Sequence, residues 1–134
     1  LKTSEYFLRI WSCMYLHLKG AEAARDPDLV PLRGMLDCIH RRFDDALTLA
    51  EIARAGGVCR SRCIDLFRKY MHRTPFSYLI EYRPAKSVEL RLGTERSVTE
   101  IAPETGFSSA SHYCECFRRA YRTTPLQYRK SRAR

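Results

Sequence analysis

The amino-acid sequence predicts an all-α fold made of two similar helical units joined by a longer helix. Three observations lead to this prediction. One pattern occurs twice, apolar residues recur at spacings of three and four, and the alternating runs of Val, Ile and Thr that indicate strands are scarce. A chain of 134 residues, 45% of them hydrophobic, can bury one modest core or two small ones.

The repeated pattern has an offset of 49 residues at first and of 50 afterwards. Its matched segments are Glu51-Ile52-Ala53 with Glu100-Ile101-Ala102, Gly57-Val58 with Gly106-Phe107, Phe67-Arg68-Lys69 with Phe117-Arg118-Arg119, and Thr74-Pro75 with Thr124-Pro125. One extra residue therefore lies in the second copy, between Phe107 and Phe117. Because a solenoid needs about three repeats for stability, two copies favour two small domains.

The first copy has the pattern of a helix, a tight turn and a second helix. Thr48 and Glu51 have the spacing of a capping box, and Gly56 and Gly57 end the first helix by allowing a positive φ. The second helix is expected to begin near Arg60 or Ser61 and to run to Tyr70. Its apolar residues are predicted to face inward: Cys63, Leu66, Phe67 and Tyr70.

The second copy has the same signals. Ser97 is the expected cap, Glu100 completes the box, and Gly106 ends the first helix. The next helix is predicted over about residues 109–121, with Tyr113, Cys116 and Phe117 inward. We assign Ile52, Phe67, Tyr78, Ile101, Phe117 and Tyr128 to the cores. Two helices joined by a glycine turn, the second polar and basic outside, form a helix-turn-helix, which presents a helix to the DNA major groove.

Between the two copies, residues 74–93 are predicted to form a linker helix that begins at Pro75, where a proline is tolerated. Pro84 lies in its interior. An interior proline removes one backbone hydrogen bond, so a kink or a break is expected near Tyr82 and Arg83.

The formal net charge of +9 suits a polyanion, and DNA, RNA and an anionic membrane surface all qualify on charge alone. No transmembrane run or signal peptide is recognised, so a cytoplasmic location is expected. The six cysteines show no C-x-x-C pair, and free buried thiols are expected. Cys59 and Cys63 are four residues apart, which permits a metal site without predicting one.

The repeated segments, and above all Ser97-Val98-Thr99-Glu100-Ile101-Ala102, Gly106-Phe107-Ser108-Ser109 and Thr124-Pro125-Leu126-Gln127-Tyr128-Arg129, resemble the C-terminal DNA-binding domain of the AraC/XylS family of bacterial transcription regulators. The resemblance covers about residues 35–130. It implies a seven-helix module with two homeodomain-like helix-turn-helix subdomains, at residues 35–73 and 94–134, the second with a basic tail. Recognition helices at about 60–70 and 109–121 would enter adjacent segments of the major groove.

Residues 1–34 carry an amphipathic stripe, formed by Phe7, Ile10, Trp11, Met14, Tyr15 and Leu18. The resemblance suggests that this segment is the tail of a preceding sensor or dimerisation domain, since the chain starts at Leu1 and not at Met. Dimerisation through the stripe and an ordinary packed helix remain alternatives. Double-stranded DNA, RNA polymerase and a second copy of the chain are the expected partners.

The resemblance also assigns site residues. The expected base contacts are Ser61, Arg62, Asp65, Ser111, His112 and Glu115, and the expected phosphate contacts are Arg60, Arg68, Lys69, Ser109, Arg118, Arg119 and Arg122. Asp65 and Glu115 stand where the family commonly has a basic residue; a carboxylate there can accept a hydrogen bond from cytosine N4.

No catalytic residue, metal ligand or cofactor is expected, because the common catalytic motifs are absent from the sequence. Two rival classes remain open. One is an enzyme that depends on a partner domain, and the other is a module whose basic helices bind an acidic protein.

Overall fold

The structure is a computed structural model and describes residues 26–90 and 92–132. Within these ranges it is all-helical, as the sequence predicted. The helices in chain order are α1 (Leu29–Arg41), α2 (Leu49–Ala55), α3 (Arg60–Met71), α4 (Pro75–Leu90), α5 (Val98–Glu104), α6 (Ala110–Tyr121) and α7 (Pro125–Arg132). The amphipathic stripe predicted between Phe7 and Leu18 lies outside the described residues.

The chain divides into two compact units between Leu79 and Ile80. In the first unit, α1, α2 and α3 enclose a core whose largest side chains have no solvent exposure: Met35, Ile39, Ile52, Leu66 and Phe67. Tyr78 closes this core, and its hydroxyl shares a hydrogen bond of 2.6 Å with Nε2 of His40. The core positions predicted at Ile52, Phe67 and Tyr78 are confirmed.

Gly56 and Gly57 serve different purposes in the turn after α2. Only Gly57 has a positive φ, at 67°, whereas Gly56 remains in the right-handed region at −90°. A Cβ at Gly56 would lie 2.7 Å from Cγ of Met35 and 2.8 Å from the carbonyl oxygen of Pro31. The predicted positive φ at the C-terminus of α2 is therefore confirmed at Gly57 and wrong for Gly56, which is needed because α1 passes so close.

A kink or a break was predicted near Tyr82 and Arg83. Helix α4 runs from Pro75 to Leu90 with Pro84 inside it, so the break is not found. The Ser87 hydroxyl, fully buried, donates a hydrogen bond of 2.6 Å to the carbonyl oxygen of Pro84. This bond does not replace the one that Pro84 lacks, which would join its backbone nitrogen to the carbonyl oxygen of Ile80.

In the second unit, an aromatic cluster forms the centre of the core. Phe117 has no exposed surface, stacks on Tyr121 with ring centroids 4.7 Å apart, and meets Tyr128 edge-on at 5.5 Å. The Tyr113 hydroxyl donates a hydrogen bond of 2.8 Å to Ser87. The core positions predicted at Ile101, Phe117 and Tyr128 are thereby confirmed.

The residues predicted as a basic tail include a further helix, α7. Pro125 occupies its first position, and Thr124 accepts a hydrogen bond of 3.2 Å from the backbone N–H of Gln127. The side chain of Arg129 donates to the carbonyl oxygens of Leu92 and Arg96, at 3.2 and 2.6 Å. These bonds tie α7 to the loop that precedes α5.

Candidate nucleic-acid interface

Each unit contains two helices joined by a short turn, as the repeat predicted. Four residues, 56–59, connect α2 to α3, and five, 105–109, connect α5 to α6. The extra residue of the second copy therefore lies in its turn. Gly57 and Gly106 both have positive φ values, 67° and 92°, so each turn uses a glycine where other residues would be strained.

Helix caps fix where the helices of each turn begin. Thr48 forms the predicted capping box, since its hydroxyl accepts from the backbone N–H of Glu51 and the Glu51 carboxylate accepts from the backbone N–H of Thr48. Ser97 likewise accepts from the backbone N–H of Glu100, at 3.2 Å. The second half of that box differs from the prediction, because the Glu100 carboxylate accepts from the Ser97 hydroxyl.

Helices α3 and α6, which we call the reading helices, have the same alternation of buried and exposed positions at an offset of 50. Cys63, Leu66 and Phe67 in α3 match Tyr113, Cys116 and Phe117 in α6, and all six are buried. The inward face was predicted correctly except at its end. Met71 is fully buried, whereas Tyr70, predicted inward, is half-buried and directs its hydroxyl to Asp26.

The outward faces contain the residues that the sequence nominated for DNA contact. The exposed positions are Arg60, Ser61, Arg62, Asp65, Arg68 and Lys69 on α3, and Ser111, His112, Glu115, Arg118 and Arg119 on α6. Both faces are thus polar and carry more cations than carboxylates. Such a face on a helix suits the major groove, where phosphates flank the edges of the bases.

On α3, two of the nominated cations are already engaged within the protein. Arg62 forms an ion pair with Asp28, and Nζ of Lys69 lies 3.2 Å from the other oxygen of the same carboxylate. Asp28 precedes α1 and was not recognised from the sequence as part of this surface. The signal that could have found it is the acidic Asp26-Pro27-Asp28 segment directly before a helix.

On α6, the nominated cations cluster at the C-terminal end. Arg118, Arg119 and Arg122 line a concave surface together with Glu115. The Glu115 carboxylate accepts from Arg119 at 3.1 Å, one turn away on the same helix. Arg122 follows the helix in a left-handed conformation, with φ at 63°. This end of α6 is therefore a dense group of guanidinium groups, partly balanced by one carboxylate.

The two reading helices differ at their N-terminal ends. Ser109 caps α6 by accepting from the backbone N–H of His112 at 3.1 Å, whereas Cys59 occupies the cap position of α3 without a side-chain hydrogen bond. The His112 ring meets Phe107 edge-on, with centroids 5.3 Å apart. His112 is thus exposed but restrained by the turn.

One buried ionisable group on the inward face of each reading helix is held in neutral form. Burial raises the pKa of the Tyr113 hydroxyl to about 12, above the ordinary value of 10.0, although the bond to Ser87 acts in the opposite sense. Burial also raises the pKa of the Cys63 thiol to about 11, so this cysteine behaves as a small apolar side chain of the core.

The cysteines follow the prediction of free buried thiols only in part. Cys38, Cys63 and Cys116 are buried, Cys114 is half-buried, and Cys59 is exposed. Among residues 26–90 and 92–132, no group of three or more His, Cys, Asp or Glu could hold a metal ion. Over the same residues, none of the helices has the length and apolar character needed to cross a membrane.

Comparison with known proteins gives a consistent result. Residues 52–131 of the chain match the model of a protein family that is described as a helix-turn-helix domain. The chain is 37% identical over 99 residues to YdeC of Bacillus subtilis (strain 168), described as an uncharacterized HTH-type transcriptional regulator, and this covers 74% of the chain and 34% of YdeC. The chain spans about a third of the length of such relatives.

Two solved structures are similar to this one. A transcriptional regulator from Chromobacterium violaceum with an AraC-type DNA-binding domain matches with a TM-score of 0.73 and 28% identity, over 78% of this chain and 93% of that one. The DNA-binding domain of AdpA, solved in complex with a target DNA, matches with a TM-score of 0.70 and 25% identity, over 75% and 91%. Together with the two helix-turn-helix units, these findings show that the chain belongs to the AraC/XylS family of transcriptional regulators.

Proposed function

We propose that this chain is the DNA-binding part of a bacterial transcription regulator, and that α3 and α6 each enter a segment of the major groove. The observation that carries the proposal is the repeated outward face. Two helices with the same burial pattern, each fixed by its own core and its own glycine turn, present polar and basic side chains to solvent. That face meets the requirements for reading a duplex.

Residues near the start of each reading helix contact bases in this proposal. They are Ser61, Arg62 and Asp65 on α3 and Ser111, His112 and Glu115 on α6. Hydroxyl, guanidinium and carboxylate groups can distinguish base pairs in the major groove, and each good contact contributes about 1–3 kcal/mol of discrimination. The carboxylates of Asp65 and Glu115 favour cytosine, whose N4 amino group is a donor.

The remaining nominated residues contact phosphates and position the helices. They are Arg60, Arg68 and Lys69 in the first unit and Ser109, Arg118, Arg119 and Arg122 in the second. Phosphate contacts carry no sequence information of their own but supply most of the affinity for any duplex. The concave surface lined by Arg118, Arg119 and Arg122 is the densest such group.

The wider activity of the protein is also part of the proposal. The chain acts in the bacterial cytoplasm, where it recruits or blocks RNA polymerase, and a second copy pairs with it through the N-terminal segment or a preceding domain. No catalytic step and no cofactor belong to this function.

Salt-dependent DNA binding tests the proposal. Titrating the 134-residue chain into a fluorescent duplex at several salt concentrations should give a linear fall of log affinity with log salt. Arg118→Gln should reduce the slope by about 0.9, the value of one lost phosphate contact. The matched control is Arg42→Gln, which removes an exposed arginine that is paired with Asp45 and belongs to neither reading helix, and should leave the slope unchanged.

A competing function, binding to an acidic protein, is tested in the same assay. Poly-glutamate offered as competitor should displace the duplex poorly if the reading faces fit a double helix. Equal competition by poly-glutamate, or equal losses from Arg118→Gln and Arg42→Gln, would contradict the proposal and favour an acidic protein partner.

A further inference from the structure

The segment Asp26-Pro27-Asp28 contacts the exposed flank of the first reading helix through three side-chain bonds. Oδ1 of Asp28 accepts from Arg62, and Oδ2 of the same residue accepts from Nζ of Lys69 at 3.2 Å. The Tyr70 hydroxyl donates to Oδ2 of Asp26 at 2.6 Å. A single carboxylate thus holds two cations that come from α3.

Arg62 and Lys69 are seven residues apart, which is about two helical turns and about 10 Å along the axis. Their side chains therefore have to converge to reach one carboxylate. The Asp28 side chain remains only 21% exposed between them, although Arg62 and Lys69 are 48% and 61% exposed. The Asp28 carboxylate therefore bridges the segment before α1 and helix α3, and both cations remain accessible from solvent.

The bonding of Asp28 within its own segment is unusual. Aspartate at the N-cap of a helix normally accepts from backbone N–H groups of the first turn. Asp28 is the N-cap of α1, yet its side chain makes no such bond. Its backbone N–H is instead held by Asp26, at 3.0 Å. Both oxygens of Asp28 are consequently used on the reading helix.

A carboxylate that accepts from an arginine and a lysine makes the same kind of charge-assisted hydrogen bond as a DNA phosphate does. A given N–H cannot serve both anions at once. In the second unit, Arg119, which matches Lys69 in the repeat, pairs with Glu115 of its own helix. Within the described residues, only α3 therefore has basic side chains that pair with a carboxylate from outside their own reading helix.

We propose that Asp28 is an internal competitor for DNA, which holds Arg62 and Lys69 until a phosphate or a base edge replaces its carboxylate. The inference rests on the proposed function. It makes the first reading helix self-restrained, because binding to a duplex through Arg62 and Lys69 includes the cost of breaking the bridge and the affinity for every such duplex is lowered.

The test compares Asp28→Asn with the wild-type chain on a duplex enriched by the wild-type chain from a randomised pool. Asparagine keeps the shape of the side chain and removes the charge. Exposed ion pairs contribute about 0.2–1 kcal/mol each, so the loss of two pairs should tighten binding about two- to thirtyfold. The matched control is Asp45→Asn, which removes a carboxylate paired with Arg42 and should change binding much less.

A variant that lacks both cations distinguishes the effect of the Asp28 bridge from the general effect of removing one negative charge. In a chain carrying Arg62→Gln and Lys69→Gln, the gain from Asp28→Asn should shrink to that of Asp45→Asn. Thermal unfolding verifies that each variant is folded. Asp28→Ser, which places a good N-cap residue before α1, replaces Asp28→Asn if the asparagine lowers the melting temperature.

The outcomes distinguish the inference from the function on which it rests. Unchanged or weaker binding by folded Asp28→Asn, with normal binding by the wild-type chain, overturns the internal competitor and makes Asp28 a support for Arg62 and Lys69. Failure of the wild-type chain to bind any duplex overturns both. A gain that persists without Arg62 and Lys69 also overturns the competitor.

Discussion

Replacing Tyr113 with phenylalanine removes one hydroxyl from the interior of the second unit and tests how α6 is anchored. The Tyr113 hydroxyl donates to Oγ of Ser87 at 2.8 Å, and Ser87 in turn donates to the carbonyl oxygen of Pro84 at 2.6 Å. Tyr113 and Ser87 have no solvent exposure. The chain of two bonds links the second reading helix to α4.

The magnitude follows from what remains after the change. Phenylalanine fills nearly the same volume, and Ser87 keeps its bond to Pro84, so neither a large cavity nor an orphaned donor is created. The loss is that of one buried hydrogen bond, about 1 kcal/mol of the free energy of unfolding. Ser87→Ala should cost more, about 1–3 kcal/mol, because it leaves the Tyr113 hydroxyl without that partner in the core.

The assay is a double-mutant cycle of Tyr113→Phe and Ser87→Ala. The free energy of unfolding of each variant is measured in urea, with the helix signal in circular dichroism as the readout. Positions 113 and 87 should show a coupling energy of about 0.5–1.5 kcal/mol, since they share one hydrogen bond. A coupling energy near zero would refute the reasoning, because the two losses would then be independent.

Three further predictions concern stability. Thr48→Ala should lower the free energy of unfolding by about 1 kcal/mol, since the hydroxyl that accepts from the backbone N–H of Glu51 is lost; no change in a urea titration would contradict this. Pro103→Ala should raise it by about 1–2 kcal/mol, because Pro103 is exposed inside α5 and lacks the N–H that a helix interior uses; lower stability would show that the proline is needed there. The folded-state pKa of Tyr113 is raised from 10.0 to about 12, so its contribution to the free energy of unfolding should be intact below pH 10 and should decline as the pH rises towards 12. An equal decline of the free energy of unfolding in Tyr113→Phe would exclude Tyr113 as the source of the pH dependence.

The sequence was most informative where two copies of one pattern could be compared. Spacing of three and four placed Phe67 and Phe117 in the cores, and the glycines at 57 and 106 marked the turns, all of which the structure confirms. Local patterns succeed here because helix faces and caps depend on residues within four positions of one another.

Features that depend on distant residues were not predictable in this way. Gly56 is required because α1 passes beside it, and α4 continues through Pro84 although an interior proline removes one backbone hydrogen bond. Tyr70 turns to Asp26, 44 residues away, so that Met71 takes the last inward position of α3. Helical periodicity does not contain such information.

On the candidate surface too, features set by local spacing were predictable and contacts between distant residues were not. Outward exposure of the nominated residues followed from the repeat, because each outward position is set by its inward neighbours. The engagement of Arg62 and Lys69 by Asp28 did not follow, since it joins residues 34 and 41 positions apart. The assignment of individual side chains to bases or phosphates stays a prediction.

Selection of bound sequences from a randomised duplex pool tests the central claim, that both reading helices recognise DNA. The wild-type chain should enrich sites with two preferred segments, Asp65→Ala should relax the base preference in one segment only, and Glu115→Ala in the other only. Enrichment of a single short segment that is indifferent to Glu115→Ala, or no enrichment at all, would contradict the account.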